Sequence, residues 1–268
     1  MRKVSDFEKS LLEEAAALAA GVDGGSFWPD KYCDFTADTA FEFITRHCYT
    51  WNEAEKEYQL LPAKEYVYNC CEAYVETYLA GVPLIVKKSR RIAVSWVFRS
   101  LDLWHAGIEK TTQFVAGQTY ERSTSMIRRT QILWEQMRQR FPDYNLPRLV
   151  HGVHLYRFKG PTMLSKILLP NGSSFDALTG DDPDSFRQEG ATRVTCEEIA
   201  FWPYLEAAWG NVLAMCMPSG KQGAQRGHAV AISTVQSSKE WRDFTAPAYG
   251  TSSDLRVYQD VLRQGGTP

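Results

Sequence analysis

At 268 residues, with 44% hydrophobic and 13% aromatic side chains, the chain can fill one large packed domain or a domain with an appendage, which excludes global disorder. No apolar run approaches the roughly 20 residues of a membrane span, and acids interrupt the N-terminus before any apolar core, so neither a transmembrane helix nor a signal peptide is expected. The formal net charge of −2 conceals a segregation: residues 1–80 carry 7 Lys/Arg against 15 Asp/Glu, whereas residues 121–160 carry 8 against 3. Charge sorted in this way suggests a polyanion-facing surface in the middle of the chain, the alternative being an arginine-laced solvated helix face. Six cysteines, at 33, 48, 70, 71, 196 and 216, include no CxxC pair and no histidine at zinc spacing. They read as buried thiols of a reducing compartment, and the chain as cytoplasmic.

Ser5, with Glu8 three residues on, makes a capping box ahead of an alanine-rich run, so a helix is expected over residues 5–20. Residues 21–29 form a glycine-rich break, read as a hinge. Thr36 or Asp38 can cap a second short helix that runs to Cys48. Residues 52–56 read as a polar loop, and a third helix is expected over 63–79, ended by Gly81. From residue 82 the texture changes to short apolar runs alternating with longer helical patterns. Strands are expected at 82–87, 112–116, 164–169, 173–178, 192–196 and 228–234, and helices at 95–106, 119–140 and 204–215. Pro170-Asn171-Gly172-Ser173 reads as a hairpin turn, because Asn-Gly supplies the positive φ values that tight turns need. Strand–helix alternation elsewhere argues for a mainly parallel sheet covered by helices on both faces. The division expected is an acidic helical region at 1–80, an α/β nucleotide-binding core at 81–250 and a C-terminal linker at 251–268.

Three stretches carry chemistry. The first is Lys88-Ser89-Arg90-Arg91-Ile92-Ala93-Val94-Ser95-Trp96, where a strand meets a cationic turn, a hydroxyl and an apolar helix. A triphosphate needs backbone N–H groups at a helix N-terminus, a cation on its β/γ-phosphates and a hydroxyl on Mg²⁺. Against G-x-x-x-x-G-K-[ST] the glycines and the usual lysine are missing: Ala93 stands at the second glycine, Val94 at the lysine and Ser95 at the hydroxyl. The charge is relocated to Lys88, Arg90 and Arg91, and Lys88 can fold back onto the phosphates. The bland alternative is a basic strand–helix turn. The second stretch, Arg193-Val194-Thr195-Cys196-Glu197-Glu198, ends a strand in two carboxylates: Glu197 for a metal, Glu198 to deprotonate the attacking water. The third, His228-Ala229-Val230-Ala231-Ile232-Ser233-Thr234, ends an apolar strand in two hydroxyls suited to sensing a γ-phosphate, or is an ordinary core strand with polar ends.

In order and spacing the three resemble the ATPase domain of phage terminase large subunits, the motors that package double-stranded DNA into procapsids. Lys88 through Trp96 is similar to that family's deviant loop K-S-R-[RQ]-x-x-x-[ST]-W. Glu197-Glu198-Ile199-Ala200-Phe201 is similar to its Walker B region D-E-x-A-F, with Glu197 in place of the aspartate. Ser233-Thr234 is similar to its coupling motif, and the hairpin at Pro170 followed by Ser185-Phe186-Arg187 precedes Walker B as in the family; the likeness covers residues 36–240. The resemblance implies a P-loop NTPase of the additional-strand catalytic glutamate (ASCE) type, with ATP and Mg²⁺ as cofactors. It implies a nucleotide site of Lys88, Ser89, Ala93, Val94, Ser95 and Trp96, Mg²⁺ on Ser95 and Glu197, Glu198 as base, and Ser233 and Thr234 as coupling residues. Arg90 or Arg91 would be an in-chain arginine finger, or Arg187 one acting across a subunit boundary. The upstream adenine-region glutamine has no clear match, since Lys64 stands there. Implied partners are double-stranded DNA, a homo-oligomeric ring, a portal and a small terminase subunit, in the cytoplasm of an infected cell. DNA contacts are expected from Arg122, Arg128 and Arg129, and from Lys221 and Arg226 in a glycine-rich turn. The family's nuclease domain, and DNA cutting with it, is not expected in this chain. Rival readings are a helicase-like ATPase and a non-hydrolysing DNA-binding or ring-assembly module.

Overall fold

The computed structural model describes residues 26–88, 93–147, 149–152, 165–187, 190–217, 227–234, 239–245 and 256–258. The helix expected at 5–20, the loop residues Ser89, Arg90 and Arg91 and the glycine-rich turn with Lys221 and Arg226 lie outside them. Helix α1 (Ala37–His47) starts at Thr36, whose extended backbone frees its hydroxyl to accept the Thr39 N–H at 3.2 Å. Helix α2 (Glu65–Ala80) stops at Gly81, left-handed at φ 64°, and the Gly81 and Val82 N–H groups then satisfy the carbonyls of Tyr78 and Thr77.

Between these helices, β1 (Tyr49–Asn52) and β2 (Glu57–Leu60) form an antiparallel hairpin, so the expected loop at 52–56 is only its turn. The Asn52 carboxamide closes that turn by accepting the Ala54 N–H, and Trp51 meets Tyr58 across the strands at 5.0 Å. The alternation that signals a strand was weak because this ribbon buries little: Trp51 is 42% exposed.

The main sheet has eight described strands in the order β10-β3-β9-β8-β4-β7-β6-β5. Strands β3 (Leu84–Lys88), β4 (Thr112–Gly117), β7 (Ser174–Thr179), β8 (Arg193–Glu197), β9 (His228–Thr234) and β10 (Arg256–Tyr258) run parallel to one another. Strands β5 (Val150–Gly152) and β6 (Lys166–Leu168) extend the sheet antiparallel. The β6–β7 connection is a turn in which the Gly172 N–H reaches the Leu169 carbonyl, and Gly172 alone takes positive φ, at 82°. It is therefore a three-residue loop with a left-handed glycine rather than a turn with both central residues at positive φ.

Alternate residues of each central strand go to opposite faces. Leu84, Val86, Val115, Val230 and Ile232 pack beneath α1, α2, α3 (Val94–Ile108) and α4 (Tyr120–Arg140). Ile85, Phe114, Ala116, Ala229 and Ala231 face α5 (Leu205–Met215) and α6 (Lys239–Phe244), where small alanines in β9 accompany the bulky Trp209 and Trp241. Residues 26–80 share the first of these cores. The described end of the glycine-rich break is pinned rather than hinged: Trp28 is buried, its indole donates to the Trp104 carbonyl at 2.7 Å, and Ser26 donates to Gly107. No described helix is long and apolar enough to cross a membrane, and all six cysteines are free, five of them buried.

Candidate active site at the carboxyl edge of the sheet

Parallel strands all point their carboxyl ends at one edge, and residues placed there by different segments of the chain can converge. Strand β3 ends in Lys88, β8 in Glu197 and β9 in Thr234; Lys88 lies opposite Thr234, and Glu197 opposite Ile232. The register brings three stretches far apart in sequence onto one spot.

The convergence is anchored by Glu198. Its backbone is left-handed, φ 52° and ψ 39°, a conformation that costs a residue with a Cβ about 1 kcal/mol or more. The chain thereby leaves the strand abruptly and enters the 3₁₀ turn Ile199–Phe201. Lys88 Nζ donates to Glu198 Oε1 at 2.7 Å. The other oxygen, Oε2, accepts from the Thr234 hydroxyl at 2.6 Å, the Thr234 N–H at 3.1 Å and the Ser233 hydroxyl at 3.4 Å. Burial pushes the Glu198 carboxyl upward, but the donors from Lys88 and Thr234 outweigh it and hold the group below the ordinary carboxylate range. Glu198 is thus an anion in neutral solution.

Glu197 is buried, and its Oε1 has no hydrogen-bond partner among the described residues, an expensive state for a buried polar oxygen. Its carbonyl accepts from the Trp202 indole at 3.2 Å. Trp202 packs flat against Phe186, and its ring fills the space where a side chain on Gly180 would stand. Helix α3 opens at Ala93 without a side-chain cap and without an acid in its first turn, so among the described residues no side chain offsets its free N–H groups or the positive end of its dipole. Ser95 is half-buried in that first turn and Trp96 turns toward α4, with the Arg129 guanidinium 5.6 Å from its ring centre. Ser95 makes no contact with the two glutamates among the described residues. Arg187 is exposed and paired with Asp184 at 3.1 Å.

Sequence reasoning missed an ionic core at the opposite end of the same strands, where Arg193 opens β8 and His228 opens β9. Asp102, in the middle of α3, forms ion pairs with both Arg99 and Arg193, and all three are fully buried. Arg193 stacks 3.9 Å from the Tyr74 ring centre, and its Nη1 faces His228 Nδ1 at 3.3 Å. Thr77 gives its hydroxyl proton to the Ala73 carbonyl, so His228 Nε2–H donates to Thr77 at 2.9 Å and leaves Nδ1 as acceptor. Burial first, then the neighbouring Arg193, drive His228 well below the usual imidazole range and keep it neutral. The available signal was Arg99 and Asp102 three apart inside an otherwise apolar helix.

No protein-family model matches the chain, and no curated protein matches its sequence. Among solved structures, the large terminase of bacteriophage HK97 aligns with a TM-score of 0.55 at 14% identity, over 83% of this chain and 43% of that one. The ATPase domain of the Thermus phage P74-26 large terminase aligns over 66% of this chain and 74% of that one, at 16% identity and a TM-score of 0.43. The chain thus spans less than half the length of the HK97 protein, and what the two share is the fold. That fold is the P-loop α/β architecture, with β9 inserted between the loop strand β3 and the acidic strand β8.

Proposed function

We propose that the chain hydrolyses ATP, as the motor domain of a DNA-packaging terminase. The observation that carries this reading is the carboxylate of Glu198 held between Lys88 and Thr234 at the carboxyl edge of a parallel sheet, with the acid-free first turn of α3 following Lys88 along the chain. A lysine, a fixed carboxylate and a helix terminus are what phosphoryl transfer to water requires: charge for the phosphates, a base for the water and N–H groups for the anion.

In this reading Lys88 and the opening turn of α3 bind the phosphates, and Glu198 takes the proton of the attacking water. Mg²⁺ would be held by Ser95 and Glu197, whose buried, unpartnered Oε1 suits a cation, and would neutralise charge on the β- and γ-phosphates. Arg90, Arg91 and Arg187 are the arginines available to steady the transferring phosphoryl group. Movement of double-stranded DNA, a ring of subunits, and portal and small-subunit partners belong to the same proposal.

Two substitutions test it. Glu198→Gln keeps the shape of the site and removes the base, so Mg²⁺-dependent phosphate release should fall about 100-fold or more while nucleotide affinity stays within a few-fold. Lys88→Ala should weaken nucleotide binding and turnover together. Normal release by Glu198→Gln would remove it as the base, and unchanged affinity in Lys88→Ala would remove that lysine from the phosphate site.

A further inference from the structure

Two fully buried guanidinium groups face a single carboxylate. Arg99, on α3, and Arg193, which opens β8, both pair with Asp102, and none of the three side chains is more than 1% exposed. Both oxygens of Asp102 are engaged: Oδ2 takes Arg99 and the Thr195 hydroxyl, the latter at 3.5 Å, and Oδ1 takes Arg193. Arg99 reaches Asp102 through Nη2, and its Nε and Nη1 have no hydrogen-bond partner among the described residues. The titratable groups around the cluster supply no second negative charge. Burial raises the Cys196 and Cys216 thiols and the Tyr74 phenol against the pull of the arginines, so all three keep their protons. Burial lowers His228 and His105, which stay neutral, and the half-exposed Glu109 carboxylate is taken by His105 and Tyr78. One positive charge therefore remains, on a helix buried without a break from Val97 to Gly107. A buried charge without a counter-charge is strongly unfavourable, and a guanidinium cannot shed its proton to escape that state.

We infer that the Arg99 guanidinium holds a small monovalent anion, of the size and charge of chloride, inside the fold beside Asp102 and Arg193. A single negative charge balances the cluster, which a doubly charged phosphate or sulfate would overshoot. A monatomic ion also accepts N–H donors from any direction and fits a close-packed interior more readily than an oxyanion does. Water would satisfy the donors but leave the charge. Bound there, the ion completes a junction between α3 and β8, one helical turn beyond Ser95 and at the far end of the strand that carries Glu197. It binds the folded chain alone, because the two arginines and Asp102 come together only on folding, and so it stabilises that state by mass action. Nucleotide turnover plays no part in this, and the site stands whether or not the chain hydrolyses ATP.

The test uses the full chain, with the sodium salts of chloride, bromide and gluconate as probes. At constant ionic strength, exchanging gluconate for chloride should raise the melting temperature by about 3 °C or more and then level off as the site fills. Crystals grown in bromide should show its anomalous signal within hydrogen-bond reach of the Arg99 guanidinium. Arg99→Met keeps the length of the side chain and removes its charge, which leaves Asp102 and Arg193 as a balanced pair; its melting temperature should no longer respond to chloride. Arg46→Met, which removes an exposed arginine paired with Glu42, should respond as the unmodified chain does. Absence of the bromide signal at Arg99 means that water alone meets the donors and overturns the site, a result that holds even where Arg99→Met fails to fold. A chloride response that persists in Arg99→Met, or one that rises without levelling off, marks an adventitious ion only and overturns it as well.

Discussion

Asp102 sits between two guanidinium groups, shielded from solvent. Deleting it leaves Arg99 and Arg193 buried and uncompensated, in a place where Arg99 Nε and Nη1 already have no hydrogen-bond partner among the described residues. Removing one partner of a buried ionic group costs about 3–5 kcal/mol, so Asp102→Ala should lower the urea unfolding midpoint by an amount that corresponds to that range. Three buried histidines, two of them beside the cluster, give a pH signature. Burial lowers His228, His105 and His47 below their ordinary value, so each stays neutral in the folded protein while the unfolded chain takes up protons near pH 6.5. The unfolded state then binds more protons as pH falls through that value, and stability must decrease from there downward. Melting temperature should be flat above pH 7 and fall toward pH 5.5, with a shallower fall in His228→Gln. A flat profile across this window would show that the imidazoles are solvated in the folded chain.

At the scale of elements, the site depends on how β8 leaves the sheet. The strand ends at Glu197, the backbone turns left-handed at Glu198, and Trp202 braces the exit by donating to the Glu197 carbonyl. Gly180, at the end of β7, makes room for that indole: a Cβ there would lie 2.4 Å from the ring. Gly180→Ala should therefore displace Trp202, costing about 1–3 kcal/mol in thermal or urea unfolding. Unchanged stability in Gly180→Ala would mean that the ring moves freely. Much of this level was legible in the sequence. Strand β9 was expected at its observed bounds and α3, α4 and α5 within two residues, because each carries a clear apolar period and ends in a recognisable cap or turn. The hairpin of β1 and β2, strand β5 and helix α6 were not, because each is short and takes its stability from a neighbouring element rather than from its own pattern.

For the whole molecule the question is where a polyanion would lie. Of the arginines expected to face DNA on α4, Arg122 and Arg128 are exposed, whereas Arg129 is half-buried against Trp96; farther along the helix Arg138 is paired with Glu135. The basic stretch is thus partly a solvated cationic face and partly mortar between α4 and its neighbours. Replacing Arg122 and Arg128 together with alanine should weaken duplex binding equally for all sequences. The slope of log affinity against log salt should become shallower by about 2. An unchanged slope would move the DNA path off this helix.

By itself the sequence determined the class of fold, the order of its main elements and the three stretches that meet at the site. Apolar period, capping residues and charged strand ends are local properties, readable without knowing what lies opposite. Only the tertiary structure decided that Lys88 meets Glu198 rather than standing free on its loop, that Thr234 holds the far oxygen, and that Asp102 bridges two buried arginines. Those are contacts between segments up to 110 residues apart. Strand order in the parallel sheet sets them, and one chain read along its length does not carry that order.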